Sequence, residues 1–65
     1  MFKVKQRYQI NNQHSVNNGK FLTIVKVEGD KVYFIYDGYS TIYYFNIHSD
    51  FVYDMISIHW ISAKK

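Results

Sequence analysis

From residue 20 to residue 47 the chain reads as three runs rich in β-branched and aromatic residues, broken at Gly29-Asp30 and at Asp37-Gly38. Short apolar runs separated by Gly and Asp pairs are strong hairpin signals, because those residues tolerate the positive φ that tight turns need. The pattern predicts strands over 20–28, 31–37 and 39–47. Residues 2–10 also alternate. Phe2, Val4, Tyr8 and Ile10 point one way, and Lys3, Lys5, Arg7 and Gln9 the other, so a half-buried first strand is expected. Residues 11–19, NNQHSVNNG, are polar and read as a loop. His48-Ser49-Asp50 is a break, where Ser49 or Asp50 can cap a short helical turn through 51–54. Residues 55–61 alternate again, with Ile56, Ile58 and Trp60 on one side, and read as a fifth strand. The whole is an all-β chain, a single small five-stranded barrel or meander over residues 1–65 with one short helical turn before the last strand.

Two-residue turns at Gly29-Asp30 and Asp37-Gly38 dictate a register. Glu28 then opposes Lys31, Val27 opposes Val32, Val25 opposes Phe34, Ile24 opposes Ile35 and Tyr36 opposes Tyr39. Phe21, Thr23, Val25, Val27, Val32, Phe34, Tyr36, Tyr39, Thr41, Tyr43 and Phe45 share one face, which is assigned to the core. The other face carries Leu22, Ile24, Tyr33, Ile35, Ile42 and Tyr44 among Lys26, Glu28 and Lys31. The ribbon is therefore apolar on both sides, and a small barrel buries only one. An uncovered apolar cluster of this kind marks an interface. Leu22, Ile24, Tyr33, Ile35, Ile42 and Tyr44, with Trp60, are the candidate partner-binding residues. Tyr33, Tyr44 and Trp60 are the natural hot spots, since Tyr and Trp combine large contact area with few rotatable bonds. The bland alternative is that the C-terminal segment folds back over this face.

The order of elements resembles the SH3-like small barrel and its KOW-type relatives. The resemblance is carried by Gly19-Lys20-Phe21 leading into 23–27, by Gly29-Asp30, and by the run 32–38 ending in Asp37-Gly38. It implies a fold. The acidic and aromatic loop of proline-binding SH3 domains is absent, so no peptide-binding residues carry over, and a shared fold does not assign a function.

Composition narrows the chemistry. Sixty-five residues can bury only about 60% of their unfolded surface, so such a domain is marginal. Aromatic residues make up 20% of the chain, seven of them Tyr, and large rings supply burial that a short chain otherwise lacks. With no cysteine, disulfides, thiolate zinc sites and cysteine nucleophiles are excluded. His14, His48 and His59 with Asp50 and Asp54 match no zinc spacing. The serines lie in no nucleophile elbow and the three glycines form no phosphate-cradling loop. The expectation is a protein that is not an enzyme and takes no metal, cofactor or small-molecule substrate.

A net charge of +3 permits an acidic partner. Lys3, Lys5 and Arg7 form a period-two basic stripe. Together with Lys20 and Lys26, and with Tyr rings for base stacking, it offers an alternative reading as a nucleic-acid-binding barrel. The plainer reading of the stripe is an edge strand blunted by lysine. No run approaches a membrane span, and residues 1–9 lack the apolar centre of a signal peptide, so a cytosolic protein is expected. Lys outnumbers Arg seven to one, and Ile, Asn and Tyr are abundant, which points to an AT-rich genome such as that of a low-GC bacterium or its phage. The leading expectation is a non-enzymatic protein-binding module, an accessory protein of a phage or mobile element that binds and modulates a host protein. A structural homodimer is the further alternative.

Overall fold

The computed structural model describes residues 2–57. Five strands, β1 (Arg7–Ile10), β2 (Phe21–Glu28), β3 (Lys31–Tyr36), β4 (Ile42–Asn46) and β5 (Met55–Ser57), form one antiparallel sheet in the order β4-β3-β2-β1-β5. A 3₁₀ turn over Asp50–Asp54 precedes β5, with Ser49 at its N-cap position. The sheet curls into a half-barrel. The expected class, strand number and helical turn are all present. Of the expected fifth strand, residues 58–61, Trp60 among them, lie outside the described residues, as does His59.

The β2–β3 hairpin begins in the expected register. Glu28 pairs with Lys31 and Val27 with Val32 across Gly29-Asp30. Gly29 has φ +61° and Asp30 is not at positive φ, the pattern of a type II′ turn, whose twist suits paired strands. Past Lys26 the register slips by one. Lys26 pairs with Tyr33, but Ile24 pairs with Phe34, which leaves Val25 as a β-bulge. A one-residue slip sends every later side chain to the opposite face. Leu22 and Ile24 therefore enter the core, each fully buried, while Phe21 and Val25 turn outward. This corrects the even register, which had placed Leu22 and Ile24 on the outer face and Phe21, Thr23 and Val25 inside.

Ile24 is irregular on its other side as well. Its N–H donates to the Gln6 carbonyl at 2.9 Å, and its own carbonyl accepts from the Lys5 N–H at 2.8 Å. Two residues thus oppose one, with Lys5 at φ +78°, a conformation costly for a side chain with a Cβ. Residues 3–6 form a turn, and β1 starts at Arg7, later than the alternation from Phe2 implied. Phe2 still packs on the core, but Val4 is exposed.

The second hairpin is wider than expected. Phe34 pairs with Tyr43 and Ile35 with Ile42, so the loop spans residues 37–41 instead of two residues. The Tyr39 N–H donates to the Tyr36 carbonyl at 3.1 Å, and Gly38 is at φ +85° in the third position of that turn. This is the type II pattern rather than type I′. Asp37 is tethered twice, its N–H to the Phe21 carbonyl at 2.9 Å and its carboxylate to the Arg7 guanidinium. Because the shift is by two residues, faces are preserved on β4, although Tyr39, Thr41 and Tyr43, expected inside, are exposed, as is Val27 on β2. The core comprises Ile10, Leu22, Ile24, Val32, Phe34, Tyr36 and Phe45, with Tyr8, Phe51, Val52 and Met55 packed against it. Each fully buried aliphatic side chain contributes roughly 1.5–3 kcal/mol.

Candidate functional site

Two surfaces flank the β3–β4 hairpin. The first is the outer face of the sheet. Lys26, Tyr33 and Tyr44 lie side by side across β2, β3 and β4, and Thr23, Ile35 and Ile42 form the next row. The Tyr33 and Tyr44 rings tilt together with centroids 5.8 Å apart. Lys26 Nζ sits 5.4 Å from the Tyr33 centroid, and Lys31 Nζ sits 5.2 Å from that of Tyr44. Such cation–π contacts hold exposed rings in place at roughly 0.5–1 kcal/mol each. Val25, turned outward by the bulge, joins Lys26, Tyr33 and Ile42 around a shallow depression of about 440 Å³. Ile42 is 61% and Tyr44 60% exposed.

Of the seven residues expected at the partner surface, Tyr33, Ile35, Ile42 and Tyr44 do meet on this face. Leu22 and Ile24 do not, because the bulge places them in the core. Trp60 lies outside the described residues. Val25 takes part in their stead.

The basic stripe is not a strand face. Lys3 and Lys5 lie in the turn before β1, and the Gln6 N–H closes that turn on the Lys3 carbonyl at 3.2 Å. Arg7 is paired with Asp37 and lies 5.7 Å from the Phe21 ring centroid. Lys20 Nζ lies over Tyr39 at 5.0 Å and Tyr36 at 5.5 Å. Lys26 approaches Glu28 at 3.6 Å. Three of the five cations thus have partners within the chain. Among the described residues no group of three metal-ligating side chains occurs. His48 faces Asp30, at 3.6 Å on the surface.

The second surface was not anticipated from sequence. Between β4 and the 3₁₀ turn, the open side of the half-barrel forms an aromatic groove of about 560 Å³. Phe34 is its floor. It stacks with Phe51 at 5.6 Å and Tyr43 at 5.8 Å, and tilts against Phe45 at 5.8 Å. Ser49 lines the groove, and its buried Oγ has no hydrogen-bond partner. Burial beside Phe34, reinforced by the neighbouring Tyr43, pushes the Tyr36 phenol above its ordinary pKa, and burial alone does the same to Tyr8. The density of rings over 43–45 together with Phe51 was the available signal. It was hidden by the assumption of a closed barrel.

No protein-family model, curated protein or solved structure matches the chain.

Proposed function

We propose that the chain is a non-enzymatic protein-binding module that docks its partner on the outer face of β2, β3 and β4. The observation carrying this reading is the Tyr33–Tyr44 pair flanked by Ile35, Ile42 and Val25, an apolar and aromatic cluster in which Tyr44, Ile42 and Val25 are exposed and Tyr33 and Ile35 half-buried. Tyr rings ordered before binding lose little entropy on contact, which favours them as anchors. The SH3-like assignment belongs to this proposal. It is supported by the strand order β4-β3-β2-β1-β5 and by the 3₁₀ turn before the last strand. The excess of Lys over Arg, with abundant Ile, Asn and Tyr, fits an AT-rich genome such as that of a low-GC bacterium or its phage, and the partner proposed is a host protein. Among the described residues no helix is long and apolar enough to cross a membrane.

Site-specific photo-cross-linking tests the reading. A benzophenone amino acid at position 33 is expected to capture one defined protein in the cells that produce the chain. The same group at position 53, where Tyr53 is exposed on the 3₁₀ turn, is not. Equal capture from both positions, or none from 33, refutes it.

A second reading is supported by Lys26 beside the half-buried Tyr33 ring and Lys31 beside the exposed Tyr44 ring, the pairing of charge and stacking surface that single-stranded nucleic acid uses. Binding of a labelled oligonucleotide that weakens steeply between about 50 and 200 mM salt supports it, and no binding at the lower salt eliminates it.

A further inference from the structure

We infer that a second copy of this chain pairs with the outer edge of β4, which no strand among the described residues occupies, antiparallel and centred on Tyr44, joining two sheets into one. β4 is a terminal strand of the sheet. The Ile47 N–H donates to the Asp30 carbonyl at 2.9 Å, so position 47 points its backbone at β3. Backbone direction alternates along a strand, so Tyr43 and Phe45 also face β3, whereas Ile42, Tyr44 and Asn46 point their N–H and C=O groups away from the sheet. Only the Asn46 carbonyl has another use among the described residues, accepting from the Ser49 N–H at 2.9 Å, and a carbonyl has a second lone pair.

Proteins normally blunt such an edge with Lys, Pro, inward charges or a bulge. Ile42–Asn46, IYYFN, has no charge and no proline, and the β3–β4 ladder runs without a slip. The segment is also complementary to itself. With Tyr44 opposite its own copy, Ile42 opposes Asn46 and Tyr43 opposes Phe45. The outward backbone groups then meet their equivalents, in the isologous contact of a two-fold dimer. The outer face gains a Tyr33–Tyr44–Tyr44–Tyr33 row across the axis. On the inner side Tyr43 of each copy lies opposite Phe45 of the other; Phe45 is buried in its own core, so the exposed Tyr43 ring supplies the apolar contact there. No like charges meet along the pairing. The contact is made chiefly by edge backbone, and N-methylation at Tyr44 removes it while leaving the outer-face rings in place, so the two proposals fail separately.

Sedimentation equilibrium across a dilution series tests it, starting at 7.8 kDa for the monomer. One paired edge is small beside the roughly 800 Å² per partner of a stable interface, so the mass is expected to double only at micromolar to millimolar concentration. Tyr44→Lys places like charges opposite each other. N-methylation of the Tyr44 amide in a synthetic chain removes the central hydrogen bonds and keeps the ring. Both are expected to hold the mass at that of the monomer while circular dichroism stays native. In the unmodified protein the amides of Ile42, Tyr44 and Asn46 should gain exchange protection as concentration rises. A wild-type chain still monomeric at about 1 mM overturns the proposal. So does a dimer that survives N-methylation, or one whose protection appears at amides other than these three.

Discussion

Placing threonine at two neighbouring positions separates the bulged register from the even one. In the structure Ile24 is fully buried and Val25, the bulged residue, is 37% exposed on the outer face. Ile24→Thr buries a hydroxyl with no partner in the core, which costs roughly 1–3 kcal/mol. The lost hydrocarbon adds roughly 1 kcal/mol. The sum, about 2–4 kcal/mol, is a large share of the roughly 3–10 kcal/mol expected for 65 residues. Val25→Thr keeps the β-branch and faces water, so it should cost no more than about 0.5 kcal/mol. At a urea m-value near 1 kcal/mol/M, the first substitution lowers the midpoint by about 2–4 M or leaves the chain unfolded, and the second shifts it by about 0.5 M at most. Urea titration followed by tyrosine fluorescence and circular dichroism reads both. A larger loss at Val25 than at Ile24 would show an unbulged strand and refute the reasoning.

Three further outcomes follow from the geometry. The Tyr36 phenol is raised above its ordinary value of 10.0 by burial and by Tyr43, so its contribution to stability is complete below pH 10 and is lost as pH rises through the folded-state value. Tyr36→Phe should therefore flatten the alkaline fall in stability measured by urea titration above pH 10, and an unchanged slope counts against a buried phenol. Asp37→Asn breaks the Arg7 ion pair, but both side chains are well exposed, so the loss should stay under about 1 kcal/mol and shrink in 1 M salt. At Gly38, φ +85°, a Cβ meets no atom within 4 Å, so Gly38→Ala tests backbone strain alone. It should cost about 1–2 kcal/mol in a thermal melt, and a D-alanine there should cost nothing.

The β3 and β4 faces were legible because their polar residues, Lys31 and Asn46, fall on one face. Val32, Phe34, Tyr36 and Phe45 are inside as the alternation demanded, and Lys31, Tyr33 and Ile42 are outside. β2 was misread because FLTIVKVE is apolar at both parities, so alternation alone cannot choose a face. A clue was present. Thr23 and Lys26 are polar at opposite parities, and a strand can turn both outward only by slipping one residue between them. The even register met Lys26 and Glu28 by sending Thr23 inward; the chain inserts Val25 instead and keeps Thr23 outside the fully buried set. The early start assigned to β1 failed for a related reason, since nothing in the alternation of 2–10 marks Lys5 as the residue that takes positive φ. The outer surface survived these errors because most of it belongs to β3 and β4. The aromatic groove was lost because ring count does not say whether a barrel closes.

The face left bare can be observed directly in dilute, methyl-labelled protein by adding a soluble gadolinium chelate. The Ile42 δ-methyl and the Val25 γ-methyls should broaden strongly, while the Leu22 and Ile24 methyls stay sharp. Broadening of Ile24 and Leu22 with a protected Ile42 would contradict the account.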